Sequence, residues 1–552
     1  MRTDFSLDRL ESTVRMRDYA AAHTETVRLL GALATQRGTL GDEHFAWVAP
    51  NDPRDAASLQ FATRIADALT ALFSDPAYEL STEQFAELAN HRWWIRHLFG
   101  ATAYRNTDHI VQALLDRIPP NASQEARNAL TRKQILLYTS ESHYDIDLNE
   151  LAKADPVFAV CVGIALLAAA VVVSPVAHDK RERMVKWLPH ALDAIDDLDQ
   201  LPGSAVCAAY MHCSYAESPN RHAVKRSINR LVRRKLADLG LLQHERVRDH
   251  KRDSIRNRKP LMLVVLEWFT GGHSIYRTHS RTLLAAREHF EVVAFGEAQH
   301  VDDKGRAVFD RFIPFEEPEY VGDCMQQLLD FANAHRPDVM YMPSVGMFTH
   351  TIFASNLRFA PLQIAGLGHP ATMHSAQIDY VSVEDDFVGD PACFSEALLR
   401  LPSDGQPYVP SALLESVQPS IPMRRDTVHI AVTASAMKLN PRFLEACRMI
   451  LERTQVPLKF HFLTSWSEGI ELAYLRRALH QIVPPEHALV YGAVAYPQYL
   501  GVLNQLDLFI SPFPFGNTNG IVDAFTLGVP GVNLCGREVF EHIDSGQPRP
   551  RG

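Results

Sequence analysis

The stretch SPFPFGNTNGIVDAFTLGVPGVNL, residues Ser511 to Leu534, decides the fold. The apolar run Leu508 to Ile510 in front of it predicts a short buried strand, and the prolines and glycine that follow predict a loop. The run Ile521 to Leu527 reads as a helix that ends at Gly528, before a second strand at Val532 to Leu534. The stretch therefore predicts a strand, a polar loop, a helix N-terminus and a strand.

The loop carries polar residues where a ligand would bind. In an open parallel sheet, ligands bind at the carboxyl ends of the strands. Asn517 to Gly520 precede the helix, whose unpaired N–H groups and positive dipole end suit a phosphate. Asp523 follows within the first turn, and a carboxylate there suits a ribose hydroxyl. The pattern indicates a nucleotide sugar, although an ordinary N-cap in a β/α loop fits the same residues.

Composition sets the broad class of the protein. A chain of 552 residues predicts about three domains. Its 46% apolar and 22% charged residues are typical of a globular protein, and a net charge of -10 argues against general nucleic-acid binding. The seven cysteines show no CxxC spacing, which predicts free thiols rather than a disulfide framework or a zinc site.

One segment is apolar enough to raise the question of a membrane span. Val157 to Val173 is uncharged and nearly long enough to cross a bilayer. It is rich in small residues, follows Pro156 and lies within an otherwise helical region, so it predicts a buried core helix. The charged N-terminus, MRTDFSLDRL, predicts no secretory signal peptide.

Residues 1 to 245 predict an all-α N-terminal domain. Ile65, Leu69 and Leu72 recur at the spacing of an amphipathic helix. Ser81 to Gln84 fits a capping box at the start of another helix. No period near the roughly 34 residues of a tetratricopeptide repeat is present, so a regular solenoid is not expected.

Three charged strings in and after this region could bind a ligand. Asp145 to Asp147 and Asp197 to Asp199 are DxD strings, which can hold a divalent metal against a diphosphate. Both are distant from any β/α loop, so they predict solvated helix ends. Arg221 to Lys259 is densely basic but has no interleaved aromatic residues, which favours a solvated connector over a nucleic-acid or anionic-lipid site.

After Pro260 the pattern becomes that of an α/β protein. The run Leu261 to Leu266 predicts a strand buried on both faces, Thr270 to His279 a polar loop, and the residues up to His289 a helix. Further strands are predicted at Glu291 to Phe295, Val339 to Met342, Leu362 to Ala365 and Tyr380 to Val383. A polar, proline-rich link at Leu401 to Arg425 precedes a second set of strands, at Val428 to Thr433, Lys459 to Leu463, Ala488 to Tyr491 and Leu508 to Ile510.

Two sets of β/α units joined by a link predict two Rossmann-like domains that face each other across a cleft. We place the all-α domain at residues 1–245, the first Rossmann-like half at 246–420 and the second at 421–552. The polar candidates for chemistry lie in the loops after the strands. They are His273, His279, His369, His374, Lys438 and the group from Asn517 to Asp523.

Lys438 is the natural partner for a diphosphate among these candidates. It follows the strand Val428 to Thr433, and a compact cation beside a helix N-terminus suits a doubly charged group. An ordinary solvent lysine is the alternative. No HExxH, GxSxG, Walker A or GxGxxG string is present, so metalloprotease, serine hydrolase, NTPase and dinucleotide-binding functions lack support.

Four strings together carry a resemblance to a known family. They are HSIYRTHS at His273 to Ser280, GLGHPATMHS at Gly366 to Ser375, the loop of Lys438, and SPFPFGNTNGIVDAFTLGVPGVNLCG at Ser511 to Gly536. The chain resembles the HMW1C-type bacterial cytoplasmic N-glycosyltransferases, which belong to the same broad family as the O-GlcNAc transferases. The resemblance implies an α/β protein with a GT-B fold, in which the all-α domain precedes an acceptor-side half and a UDP-sugar-side half.

The resemblance also implies an activity. That family transfers glucose from UDP-glucose, sometimes galactose from UDP-galactose, to asparagine in Asn-x-Ser/Thr sequons of adhesins and other polypeptides. The transfer inverts the sugar and uses no metal or other cofactor. We therefore expect a cytoplasmic enzyme whose partners are a UDP-sugar and a polypeptide, with no nucleic acid and no membrane span. The alternatives are another inverting GT-B transferase, acting on serine, threonine or a small acceptor, and a truncated, non-catalytic member.

The resemblance assigns roles to individual residues. Lys438 is expected to contact the diphosphate, Asp523 the ribose, and His369 the diphosphate or the sugar. His273 and His279 are expected to face the acceptor, and His273, His279 and His369 are the candidate catalytic residues. The residues expected to bind the UDP-sugar are Lys438, Asn517, Thr518, Asn519, Gly520, Asp523 and His369, with no metal ligand.

One feature departs from the family pattern. In that family, further helices follow the UDP-sugar motif and complete the second half. This chain ends at Gly552 in SGQPRPRG, which does not resemble a packed helix. The resemblance therefore implies a second half that is shortened at its C-terminus.

Overall fold

The computed structural model of the chain describes residues 4–41, 44–46, 50, 52, 54–116, 123–246, 259–420 and 426–543. These residues form two compact units. The described residues of Met1–Asp147, Ala169–Arg181 and Pro422–Ile510 form the first unit. Those of Leu148–Ala168, Glu182–Ile421 and Ser511–Gly552 form the second. The C-terminal string SGQPRPRG lies outside the described residues.

The N-terminal part is helical, as its sequence predicts. Ser81 and Gln84 form the expected capping box, and Ile65, Leu69 and Leu72 are buried. The helices are α1 (Leu7–Met16), α2 (Tyr19–Thr35), α3 (Asp55–Ser74), α4 (Thr82–Ala89), α5 (Arg92–Ala101), α6 (Asp108–Leu115), α7 (Gln124–Leu137), α8 (Leu148–Ala154), α9 (Pro156–Leu167), α10 (Pro175–Leu192), α11 (Gly203–His212) and α12 (Ala223–Asp238).

Only the first part of the apolar segment Val157 to Val173 is helical. Helix α9 begins at Pro156, where the Asp155 side chain accepts a hydrogen bond from the Phe158 N–H. The helix ends at Leu167, and the buried residues Val171 to Val173 lie outside any helix or strand. The predicted C-terminal boundary of the helix was wrong, because a run of β-branched residues disfavours helix. No helix among the described residues is long and apolar enough to cross a membrane.

A parallel sheet of seven strands organises the second unit. Their order is β3-β2-β1-β4-β5-β6-β7, and each neighbouring pair is parallel. The strands are β1 (Leu261–Val265), β2 (Glu291–Gly296), β3 (Arg311–Pro314), β4 (Val339–Met342), β5 (Leu362–Ala365), β6 (Tyr380–Glu384) and β7 (Ala397–Leu401). Between and after them lie α13 (Ser274–Ala286), α14 (Asp303–Arg306), α15 (Val321–His335), α16 (Thr349–Ala354) and α17 (Ala412–Glu415).

The strand order reverses between β1 and β4, which makes their carboxyl ends the expected ligand-binding edge of this sheet. The apolar core beside them includes Val264, Phe269 and Leu283. The sequence missed β3 and β7 because these are the two edge strands. Their residues are half-buried or exposed, so they lack the continuous apolar run that marks the central strands.

A second set of parallel strands lies in the first unit. Its order is β10-β9-β8-β11, with β8 at Val428–Thr433, β9 at Leu458–Leu463, β10 at Ala488–Tyr491 and β11 at Leu508–Ile510. Helices α18 (Pro441–Arg453), α19 (Gly469–His480) and α20 (Tyr496–Leu503) accompany these strands. Two further elements, α21 (Asn519–Thr526) and β12 (Gly531–Val532), belong to the second unit.

Within the first unit, α5 packs closely against α19. The Arg96 guanidinium donates to the Tyr474 hydroxyl at 3.0 Å, and that hydroxyl donates to the Glu141 carboxylate. Gly100 allows the approach, because a Cβ there would lie 2.4 Å from the Tyr474 ring. N-terminal helices and the later α/β elements thus form one packed body in this unit.

The basic stretch is a packed element, so the prediction of a solvated connector was wrong for its described part. Lys225 in α12 is fully buried, and its Nζ donates to the Thr372 carbonyl at 2.9 Å while lying 4.9 Å from the centre of the Tyr210 ring. A carbonyl and a ring face can replace the water around a buried cation. Residues 247–258 of the stretch lie outside the described residues.

Candidate functional site

Helix α21 starts where the chain leaves a loop held by backbone hydrogen bonds. The Ser511 N–H donates to the Val532 carbonyl at 2.9 Å, and the Gly516 N–H donates to the Phe540 carbonyl at 3.1 Å. Thr518 is the residue before the helix, which begins at Asn519. The helix starts two residues earlier than predicted. The polar group that begins at Asn517 therefore lies at the helix N-terminus, as the sequence indicates. The prediction that Asp523 belongs to the first turn was wrong, because with this earlier start Asp523 is the fifth residue of the helix.

Asp523 makes a buried ion pair with Arg277 of α13. Arg277 Nη2 lies 2.9 Å from Asp523 Oδ1, and both side chains are less than a tenth exposed. The guanidinium neutralises the carboxylate, which still has lone pairs that could accept a ribose hydroxyl. Arg277 lies within HSIYRTHS, but sequence reasoning gave it no role, because its partner is 246 residues away.

Tyr408 makes a second contact to this helix from the proline-rich link. Its hydroxyl donates to Oδ1 of Asn519, and the Arg277 guanidinium lies 4.9 Å from the centre of its ring. The backbone N–H of Val409 donates to the Arg277 carbonyl at 2.7 Å. A link predicted only to join two domains thus holds two residues of the candidate site. An aromatic residue within a polar link was the available signal.

His273 and His279 both belong to the start of α13, but in different settings. His273 is the N-cap, and its Nδ1 accepts from the Ile275 N–H at 3.3 Å. The predicted loop Thr270 to His279 was wrong beyond His273, because Ile275, His279 and Leu283 form a buried helical stripe. Burial lowers the pKa of each histidine to about 4, so both are neutral at pH 7.

His279 is packed beside the glycine-rich loop that follows β5. It is 2% exposed, and its Nδ1 lies 2.7 Å from the Thr278 hydroxyl. Its Nε2 has no hydrogen-bond partner among the described residues. A Cβ at Gly366 would lie 2.6 Å from that nitrogen and 2.6 Å from the Tyr341 hydroxyl. The absence of a side chain at Gly366 therefore lets this loop pass over His279.

His369 lies against the loop that precedes α21. Its ring stacks on Phe515 with a centroid separation of 6.0 Å, and Phe515 in turn stacks on Phe540 at 4.5 Å. Its Nε2 is 2.8 Å from the Ser214 hydroxyl oxygen. The second unit thus brings together His369 and the loop of Asn517, two sets of residues that the sequence assigns to the UDP-sugar. Ser214 is a contact that sequence reasoning missed.

Lys438 belongs to the first unit. It ends a short 3-10 turn, Ala436–Lys438, directly after β8, and its side chain is half-buried. Asn440 follows and caps α18 by accepting from the Phe443 N–H at 3.0 Å. The lysine therefore lies at a strand end next to a helix N-terminus, as the sequence predicts. Its contact with a diphosphate stays a prediction.

No group of three or more histidine, cysteine, aspartate or glutamate side chains among the described residues has a geometry that could hold a metal ion. In the DxD string Asp197 to Asp199, Asp197 caps a 3-10 turn and Asp199 pairs with Lys235. In the other string, Asp145 accepts from the Tyr138 hydroxyl at 3.3 Å. Asp145, Asp197 and Asp199 thus make structural contacts with other residues of the protein.

Comparison with known sequences gives consistent matches along the chain. The family model described as HMW1C N-terminal matches residues 4–144, and that described as HMW1 domain 2 matches residues 149–236. Two proteins of Actinobacillus pleuropneumoniae, from serotypes 5b and 7, are each named UDP-glucose:protein N-beta-glucosyltransferase. Each is 39% identical over 548 residues, which are 97% of this chain and 86% of the relative.

Comparison with solved structures identifies the fold. A mutant of the Thermobaculum terrenum O-GlcNAc transferase superposes with a TM-score of 0.54 at 17% identity, covering 84% of each chain. The α/β part is therefore a GT-B fold preceded by a helical region, which confirms the predicted fold class. With relatives of 39% identity along almost its whole length, the chain belongs to the HMW1C family and is a glycosyltransferase.

Proposed function

We propose that this enzyme transfers glucose from UDP-glucose to the side-chain amide nitrogen of asparagine in polypeptides. The acceptor is an Asn-x-Ser/Thr sequon, as in adhesins, and the reaction inverts the anomeric carbon, needs no metal and takes place in the cytoplasm. The observation that carries the proposal is the 39% identity over 97% of the chain to two proteins whose name states this donor and a protein acceptor.

The residues of the site suit the departure of UDP. When the bond between glucose C1 and the phosphate oxygen breaks, negative charge builds on the diphosphate. Lys438 and the N-terminus of α21 would stabilise that charge in place of a metal. Asp523, held by Arg277, would accept the ribose hydroxyls, and Asn517, Thr518, Asn519 and Gly520 would bind the phosphates through side chains and N–H groups.

The asparagine amide nitrogen that attacks glucose C1 must also be activated. An amide nitrogen is a weak nucleophile, and it must lose a proton as its new bond to C1 forms. His273, His279 and His369 are the candidates to orient the amide or accept that proton, a contribution typically of about 10²–10⁴-fold. Low pKa values keep His273 and His279 neutral at pH 7. Nε2 of His279 could then accept a hydrogen bond from an amide N–H, whereas the acceptor nitrogen of His273, Nδ1, already accepts from the Ile275 N–H.

A peptide assay tests the proposal. The protein is incubated with UDP-glucose and an Asn-x-Thr peptide, and mass spectrometry monitors the addition of one hexose. Matched peptides with Asn→Gln or Thr→Ala should stay unmodified, and EDTA should leave the rate unchanged. Modification of the Asn→Gln peptide at serine or threonine would favour the alternative acceptor class. Absence of UDP binding by calorimetry would favour a non-catalytic member.

Tyr408→Phe should weaken donor binding without unfolding the protein. The substitution keeps the ring under Arg277 but removes the hydroxyl that donates to Asn519. One such hydrogen bond contributes about 0.5–1.5 kcal/mol, so the KM for UDP-glucose should rise by roughly two- to tenfold. Tyr320→Phe, at an exposed tyrosine of the same unit, is the control. Equal KM values for the two variants would contradict a role for this hydrogen bond.

A further inference from the structure

A line of buried polar side chains leads from His369 into the helical part of the second unit. Ser214, in a 3-10 turn directly after α11, places its Oγ 2.8 Å from His369 Nε2 and 3.2 Å from His222 Nε2. Nδ1 of His222 lies 3.7 Å from Oε1 of Glu538. All four side chains are less than a tenth exposed, so the line is shielded from solvent.

Glu538 is held firmly at the end of this line. Its carboxylate accepts from the Glu541 N–H, while its own N–H donates to Glu541 Oε2 at 2.8 Å. Arg221 Nε lies 3.9 Å from Glu538 Oε1. The charged and titratable groups that face Glu538 or His222 are Arg221, Lys225, His369, His374, Cys393 and Glu541.

The chemistry of the end groups sets the direction of the hydrogen bonds. Burial, followed by the charges of Lys225 and Arg221, lowers the pKa of His222 well below its usual range. A neutral imidazole carries one proton, and an ionised carboxylate can only accept. The negative charge of Glu538 lies 3.7 Å from Nδ1 of His222, beyond hydrogen-bond distance, and electrostatic attraction favours the proton on that nitrogen. Nε2 of His222 then accepts from the Ser214 hydroxyl.

The Ser214 hydroxyl then determines which ring nitrogen of His369 carries the proton. Ser214 has a single hydroxyl proton, which it donates to Nε2 of His222. Its oxygen can therefore only accept a hydrogen bond from Nε2 of His369. We propose that Ser214, His222 and Glu538 are positioning residues that hold His369 as the Nε2–H tautomer and leave its Nδ1 as a hydrogen-bond acceptor. This inference rests on the proposed function and assigns His369 its part in that reaction.

Because Nδ1 of His369 is an acceptor in this tautomer, it can bind only a group that donates a hydrogen bond. A diphosphate at neutral pH offers oxygen acceptors, so Nδ1 of this tautomer has no proton to give it. A hydroxyl of the transferred sugar can donate to it, and the stacking of His369 on Phe515 places the ring beside the predicted donor loop. Of the two roles that the sequence leaves open for His369, the sugar is therefore favoured over the diphosphate.

Ser214→Ala tests the line through kinetics. Without the hydroxyl, His369 can change tautomer, and we expect kcat to fall by roughly two- to tenfold, the scale of one lost hydrogen bond to the sugar in the transition state. The Kd for UDP, which lacks the sugar, should change less than about twofold. The control is Ser227→Ala, which removes a hydroxyl that donates to the Pro189 carbonyl at 3.0 Å in the same unit. An unchanged kcat in folded Ser214→Ala protein, or a matching loss of UDP affinity, would overturn the inference.

Neutron diffraction of deuterated wild-type crystals, grown at a pH of about 8, gives a readout that needs no transferase activity. Deuterium on Nε2 of His369 and none on Nδ1 is the expected result. Deuterium on Nδ1 would overturn the tautomer assignment whatever the enzyme transfers. Conversely, a protein with the expected tautomer but no peptide glucosylation would contradict only the proposed function.

The line also predicts a pH dependence. Burial raises the pKa of Glu538 to about 7. As pH falls through that value, the carboxyl gains a proton and loses the charge that favours a proton on His222 Nδ1. The reason for the Nε2–H tautomer of His369 is then removed. In wild type, kcat should therefore decline below pH 7. Glu538→Gln, whose amide oxygen accepts at every pH, should keep the plateau value and lose that decline, so an identical pH profile would contradict the assignment.

Discussion

Lys438→Ala is expected to reduce kcat/KM for UDP-glucose by about 10²–10³-fold, the usual scale for removing one preorganised group that stabilises transition-state charge. A cation a few ångströms from a departing diphosphate contributes about 4 kcal/mol at an effective dielectric constant near 20. UDP binding by calorimetry should weaken together with turnover, because the product carries the same diphosphate. Steady-state kinetics and UDP titration measure the two effects.

The matched control for Lys438→Ala is Lys459→Ala. Lys459 is a half-buried lysine on β9 of the same unit, so its loss changes the net charge equally. Its kinetics should stay near those of the wild type. If Lys438→Ala and Lys459→Ala lost activity to the same degree, or if neither lost any, Lys438 would have no place in the UDP site.

Arg277→Met should destabilise the protein more than any other single change considered. It leaves the Asp523 carboxylate buried without its cationic partner, and breaking one side of a buried ion pair typically costs about 3–5 kcal/mol. We expect the free energy of unfolding, measured in urea, to fall by that amount. Donor binding should weaken as well, because Asp523 and Tyr408 lose the group that orders both.

A double variant separates stability from binding. Arg277→Met with Asp523→Asn removes both charges, so most of the lost stability should return while UDP affinity stays low. Arg281→Met, at an exposed arginine of the same helix, should change neither quantity. Recovery of UDP affinity in the double variant would show that UDP binding does not need the negative charge of Asp523.

Most strands could be predicted from the sequence, both those that are largely buried and those whose residues alternate between buried and half-buried. Five predicted strand ranges agree with the structure residue for residue: Val339 to Met342, Leu362 to Ala365, Val428 to Thr433, Ala488 to Tyr491 and Leu508 to Ile510. The edge strands β3 and β7 were not predicted, because their residues are only partly buried and their apolar runs are broken. Within the seven-stranded sheet, local patterns thus identify the central strands better than the two edge strands.

Only part of the candidate site could be predicted from the sequence, and the reason differs from that for the edge strands. The loop before α21 and the lysine after β8 follow local rules of strand ends and helix N-termini. Arg277, Tyr408 and Ser214 contact the site from distant positions in the chain, and only Tyr408, an aromatic residue in a polar link, offered a local signal. The prediction of a solvated connector at the basic stretch was wrong for the same reason. The carbonyl and the ring that contact the buried Lys225 belong to distant parts of the chain.

The most direct test of the account is a crystal structure of the protein with UDP bound. We predict that the ribose hydroxyls lie within about 3 Å of the Asp523 carboxylate and the diphosphate within hydrogen-bond distance of Lys438 Nζ and the N–H groups at the start of α21. UDP density at another site, with Lys438 and Asp523 both out of contact with it, would contradict the account.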